Sequence, residues 1–210
     1  MRLVRWGVDM DATGWDERYT GSELVWSAGP NTFVEEICAP LAPGRALDLA
    51  AGEGRNSLWL AERGWEVTAV DFSAVGLEKA RRAADARGVR LTTEVADLIA
   101  YEPSPSGFDL VMIVYLHLGA AELPGIIERA ARAVAPGGRL VVVGHDVENL
   151  ERGTGGPQVA EVLTTVPGVL AAIEPVGLRV ERADLAERRV LTGDGSAAIA
   201  LDTVVVGVRA

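Results

Sequence analysis

The chain has 210 residues, 49% of them apolar and 24% charged, with 30 acidic against 20 basic side chains and a net charge of −10. This is ordinary globular usage at a length suited to one sizeable core, and it excludes a disordered or fibrous chain. The bases are spread along the chain rather than gathered in runs, so the acidic balance argues against nucleic acid and anionic membranes as partners.

The opening "MRLVRWGVDMD" has no apolar stretch of signal-peptide length, and no later segment reaches the roughly 20 apolar residues of a membrane span. The expectation is a cytoplasmic protein. Cys38 is the single cysteine, which leaves no intramolecular disulfide and no cysteine metal cluster, and "FVEEIC" places it on the buried face of a helix. Residues 1–40 read as an N-terminal helical cap and 41–210 as a core, together one domain.

From Arg45 onward two patterns alternate. Strand-like runs cover Arg45 to Leu49, Glu66 to Val70, Arg90 to Val95, Phe108 to Val114 and Arg139 to Gly144. Helical stretches cover Asn56 to Arg63, Ser73 to Arg87 and Ala121 to Val134. "FDLVMIV" and "RLVVVG" are almost continuously apolar, as strands are when both faces are covered. Gly64 and Gly88 stand where helix C-caps belong, and "APGG" at 135–138 separates the last of these helices from the next strand.

In the tail, "LRVERADLAERRV" and "AIALDTVVVGVRA" are two strand-like runs joined by "LTGDGS" with no helix between them. They predict an antiparallel hairpin. The fold expected is α/β, a Rossmann-like doubly wound sheet in three αβα layers, mostly parallel with an antiparallel C-terminal hairpin strand.

Such a sheet binds ligands beyond the carboxyl ends of its strands. After the first strand stand Asp48 and "AAGEG", where Gly52 and Gly54 carry no Cβ to hold a ligand off the backbone and the helix starting near Arg55 offers free N–H groups. After the second come Asp71, suited to a ribose diol, and Phe72, able to lie along a purine. After the third comes Asp97, suited to an exocyclic amine, with the backbone of Leu98 beside it. A single acid after a strand is commonly a helix N-cap, but three in register outline an adenosine site. Ala50, Asn56 and Val114 complete the expected contacts.

A dinucleotide loop needs G-x-G-x-x-G, and "GEGRNS" has Ser57 at the third glycine. Asp48 and Glu53 would also repel a diphosphate. An acid at the end of the first strand suits an ammonium and a sulfonium, and S-adenosylmethionine carries both.

The sequence "ALDLAAGEGRN" resembles the first motif of class I S-adenosylmethionine-dependent methyltransferases, with Asp48, Gly52 and Gly54 matching D/E-x-x-x-G-x-G. "VTAVDFS", "VADL" and "APGGRLVVV" resemble that family's later segments. The run "GRNSLWLAERGWEVTAVDFS" is similar to the tellurite-resistance, small-molecule branch, and Arg55 stands after Gly54 as it does there. The resemblance implies direct displacement of the cofactor's methyl group by a small-molecule acceptor, leaving S-adenosylhomocysteine. It implies no nucleic acid or membrane partner, and a monomer or homodimer.

Four residues on the same rim are candidates for catalysis or substrate contact: His117, His145, Tyr115 and Asp146. For Tyr115 a core-edge aromatic and for Asp146 a helix cap are equal readings. Trp15, Tyr19 and Trp26 read either as a segment over cofactor and substrate, where an aromatic face meets the sulfonium charge, or as packing on the sheet edge. Residues 149–158 are a lid or a connector. Two other functions stand beside methyl transfer: a nicotinamide-dependent oxidoreductase and a non-catalytic adenosylmethionine-binding domain.

Overall fold

The computed structural model describes residues 12–21 and 29–210. Helix α1 (Ala12–Thr20) and helix α2 (Thr32–Cys38) precede strand β1 (Arg45–Leu49), α3 (Arg55–Ala61), β2 (Glu66–Asp71), α4 (Ala74–Arg87) and β3 (Thr92–Val95). Then follow β4 (Phe108–Val114), α5 (Leu123–Ala133), β5 (Val134–His145), α6 (Asn149–Arg152), α7 (Val166–Ile173) and the hairpin β6 (Arg179–Leu191) and β7 (Ala197–Val208). The seven strands lie in the order β3-β2-β1-β4-β5-β7-β6. The first five pair in parallel, while β7 runs antiparallel to both β5 and β6.

The continuous apolar strands are explained by cover on both faces. From β4, Val111 and Ile113 join the core under α5 and α7, while Leu110, Met112 and Val114 join the core under α2 and α3. Helix α5 buries Leu123, Ile126, Ile127, Ala130 and Ala131, the spacing of one helical stripe. Cys38 is buried in the α2 core as expected, and burial pushes its thiol up to about 12.

Among the boundaries that differ from the sequence reading, two bear on the sheet. "APGG" lies inside the bounds of β5, not between helix and strand: Gly137 has φ of +78° and the β4–β5 register shifts between Phe108 and Leu110, so the turn is absorbed as a bulge. The third strand starts at Thr92 rather than Arg90. Helix α7 was not anticipated; "VPGVLAAI" is apolar all round, and short apolar runs do not distinguish helix from strand.

The order of strands reverses between β1 and β4, and both strands finish in an unusual way. Ala50, just after β1, has φ of +63°, and Tyr115, just after β4, has φ of +58°. Non-glycine residues held in the left-handed region cost about 1–3 kcal/mol and concentrate at functional sites. Each turns the chain sharply outward at the crevice where a doubly wound sheet binds ligands.

Candidate active site

A cavity of about 670 Å³ opens at this crevice, within the range of small-molecule and cofactor sites. Its wall takes residues from the ends of β1 to β4 and from α1. Ala50, Gly52, Arg55, Asn56, Asp71, Phe72, Asp97, Leu98, Val114, Tyr115 and His117 all line it. Trp15 and Tyr19 of α1 line it as well, whereas Trp26 lies outside the described residues. Helix α1 is held in place by Asp16, whose carboxylate accepts from Ser73 Oγ at 2.5 Å at the start of α4.

Asp71 has two tasks. It is 5% exposed, and it accepts from Gly52 N at 2.8 Å and from Ser73 N at 2.9 Å, so it shapes the glycine loop and the turn before α4. Burial raises its pKa, and those two N–H bonds oppose the rise. A carboxylate offers about four acceptor positions, so two remain for a ribose diol. Asp97 accepts from Ile99 N at 2.9 Å and also faces the cavity.

Asp48 and Gly54 do not line the cavity. Asp48 is 1% exposed; its Oδ2 accepts from Ser57 Oγ at 2.7 Å, and its Oδ1 has no hydrogen-bond partner among the described residues. Burial pushes its carboxyl up to about 6. At φ of +77° the missing Cβ of Gly54 would stand 2.8 Å from the Cβ of Ala80, so this glycine lets α4 approach the loop. Glu53 pairs with Lys79 at 2.9 Å.

The other end of the cavity is built differently. Tyr115 donates to Asp202 Oδ2 at 2.9 Å and accepts from Asn31 Nδ2 at 3.2 Å. Arg188 Nε donates to the same Asp202 oxygen at 2.6 Å. His145 Nδ1 lies 3.0 Å from Asp202 Oδ1, within ion-pair distance but out of line for a hydrogen bond. The His145 ring stacks on Tyr115 with centroids 4.6 Å apart, and on His117 at 5.7 Å with planes 3° apart. Burial above all, with the Asp202 charge next, raises the Tyr115 pKa; burial also lowers that of His117 to about 4, with His145 a second cause. His117 Nε2 is buried and has no partner among the described residues.

His145 and Asp146 do not line the cavity. Asp146 accepts from Thr203 Oγ at 2.5 Å and from Glu148 N at 2.9 Å, a turn-capping arrangement that ties the end of β5 to β7. Asn31, Arg188 and Asp202 were missed by sequence reasoning. Asp202 gave one signal: it is the single charge inside the apolar run "AIALDTVVVGV", and buried charges in such a setting are paired.

Residues 46–138 match a family described as a methyltransferase domain. Over 126 residues the chain is 44% identical to a demethylmenaquinone methyltransferase of Thermus thermophilus, covering 59% of this chain and 55% of the relative. It is 36% identical to a second, of Clavibacter sepedonicus, covering 58% and 48%. The chain thus spans about half the length of the curated relatives it matches. Among solved structures, one determined in a study of the conversion of a disulfide bond into a thioacetal group during echinomycin biosynthesis superimposes with a TM-score of 0.73 at 21% identity, covering 94% of this chain and 92% of the other. TehB from Haemophilus influenzae does so with a TM-score of 0.70 at 15% identity, covering 95% and 67%. At these identities the likeness is one of fold.

The glycine loop, the acids that follow β2 and β3, and the matched segment point the same way: residues 46–138 match a methyltransferase domain, and the fold is shared with solved S-adenosylmethionine-dependent methyltransferases.

Proposed function

We propose that the protein transfers the methyl group of S-adenosylmethionine to a small-molecule acceptor by direct displacement, with the cofactor held at the ends of β1 to β3 and the acceptor at the end of β4. The observation that carries this reading is the single cavity wall that runs from Gly52 past Asp71 and Asp97 to Tyr115 and His117. In it the chain works as one unit, with α1 contributing Trp15 and Tyr19 to the wall.

The cofactor, when bound, supplies a methyl group already activated by a positively charged sulfur. The chain then has mainly to position the acceptor, and alignment alone contributes about 7–11 kcal/mol to such a step. Asp71 accepts from the ribose hydroxyls, and Phe72 and Leu98 bracket the base. Val114 and Leu116 exclude water from the reacting end. His117, neutral at physiological pH, offers Nε2 as an acceptor to the acceptor molecule's O–H or S–H. A base that holds its proton only near pH 4 orients that group more than it deprotonates it.

The wall at this end sets Val114, Leu116 and Leu118 beside Tyr115, His117 and Arg55, whose guanidinium lies 5.9 Å from the Tyr115 ring centroid, which suits a partly apolar acceptor with an O–H or S–H to be oriented. The name of the first relatives, demethylmenaquinone methyltransferase, points the same way. The test is transfer of labelled methyl from S-adenosylmethionine to a reduced demethylated naphthoquinone, a simple phenol, a thiol and tellurite. Transfer to one of the first three that His117→Ala reduces at least tenfold is expected. Transfer to tellurite alone would move the reading to the tellurite branch, and binding of the cofactor without transfer to any of them would favour the non-catalytic domain.

A further inference from the structure

Three features lie outside the cofactor site: the charged outer strand β6, the glycine loop at 153–156, and the fully buried carboxylate of Asp202. The last reaches furthest. Asp202 is 0% exposed, and it sits on β7, a strand that carries none of the cavity wall. A buried charge is costly unless it is paired. The Oδ2 of Asp202 is paired twice, by Arg188 Nε and Tyr115 Oη, while its Oδ1 lies 3.0 Å from His145 Nδ1, out of line for a hydrogen bond.

Arg188 alone would neutralise the charge. The other two contacts reach groups that the cavity uses. Tyr115 is held at a left-handed φ of +58°, and its hydroxyl is fixed as a donor by an acceptor-only carboxylate. His145 is clasped on several sides. Its ring stacks on Tyr115 and on His117, and Gly156, at φ of +74°, packs so closely that a Cβ there would stand 2.7 Å from its Cδ2. Asn149 Nδ2 holds that glycine loop through Gly155 O at 2.8 Å. With His145 immobilised, the parallel ring of His117 has one neighbouring plane to follow.

We infer that Asp202 is a positioning residue of the active site: its carboxylate, carried in on the C-terminal hairpin, fixes Tyr115 and, by its charge 3.0 Å from His145 Nδ1, favours a ring proton at that nitrogen, and through the stacked rings it sets the imidazole that His117 presents to the acceptor. The inference rests on the proposed function for the acceptor's presence, but its geometry and its test do not need the acceptor.

The substitution Asp202→Asn is informative because it changes donor and acceptor character at nearly constant shape. The amide oxygen is retained by Arg188 and Tyr115, both donors, so the amide NH₂ is turned toward His145 Nδ1. An NH₂ cannot accept a proton from Nδ1. The neutral ring should then move its proton to Nε2.

His117 and His145 are the chain's two histidines, so ¹⁵N-histidine labelling gives two ring systems, assigned with His117→Gln and His145→Gln. At about pH 8.5, above the ordinary imidazole range, wild type should show His145 protonated on Nδ1. Asp202→Asn should show it on Nε2, with the His117 resonances displaced as well. Calorimetric binding of S-adenosylhomocysteine should stay within about threefold of wild type, because the cofactor end is built on other strands. Wild-type His145 carrying its proton on Nε2 would overturn the inference, whether or not the variant folds. So would an Asp202→Asn spectrum in which neither ring changes. Loss of S-adenosylhomocysteine binding in wild type would instead refute the proposed function and leave the tautomer result standing.

Discussion

The two ends of the cavity are made by different means. At the cofactor end each contributing residue directly follows its own strand, and local rules suffice: an acid, a glycine turn, a helix N-terminus. At the acceptor end Tyr115 is fixed by partners 84 and 87 residues away along the chain, Asn31 and Asp202, and His117 stacks on His145 of the next strand. The lesson is that a class-wide cofactor site can be specified by short motifs, whereas a site for an individual acceptor is assembled by tertiary contacts.

The largest effect expected is at the cofactor end. Gly54→Ala puts a Cβ on a residue at φ of +77° and drives it to 2.8 Å from Ala80. Left-handed strain and overpacking together should cost about 2–5 kcal/mol of folding stability, read by urea unfolding. A cost under about 1 kcal/mol would show that α4 can move away from the loop, and the local description of this end would fail.

Next comes an opposition in pH dependence. His117, lowered to about 4, binds fewer protons folded than unfolded, so its contribution to stability is present at neutral pH and is lost as pH falls from about 6.5 to about 4. Asp48, raised to about 6, binds more protons folded, so its burial costs stability at neutral pH and that cost is relieved as pH falls through about 6. Each shift corresponds to about 3 kcal/mol. Between pH 7 and pH 4 wild type should therefore lose stability relative to His117→Gln and gain it relative to Asp48→Asn. Equal and unchanging differences across that range would contradict the burial of both groups.

A smaller effect belongs to the acceptor end. Tyr115→Phe leaves the buried Asn31 amide without its hydrogen-bond acceptor and should cost about 1–3 kcal/mol in stability. S-adenosylhomocysteine affinity should change less than threefold, since the phenol oxygen is spent on Asp202 and Asn31. If calorimetry found that affinity to fall tenfold or more, the two ends would not be separable.

The same division decided what could be read from sequence. The strands from Arg45 to Val114, the hairpin and the acids after β2 and β3 follow from period, run length and turn residues, all local signals. The packing of Gly54 against Ala80 was not legible, because Ala80 is 26 residues away and no spacing rule connects the two. His117 and Tyr115 were legible as rim residues, but the difference between them was not. One leaves Nε2 without a partner among the described residues, and the other has its hydroxyl fully engaged, which depends on where β7 folds back. Asp202 was visible only as an unexplained charge in an apolar strand.

The most direct test of the central claim is calorimetric titration of the wild-type protein with S-adenosylhomocysteine and, separately, with NADH, repeated on Asp71→Asn. Asn keeps the shape of the side chain but can accept from only one of Gly52 N and Ser73 N, which bond different oxygens of Asp71, and it offers fewer acceptors to a ribose diol. The account predicts micromolar binding of S-adenosylhomocysteine, at least tenfold weaker in Asp71→Asn, and no binding of NADH. Binding of NADH alone, or of neither ligand by a folded protein, would contradict it.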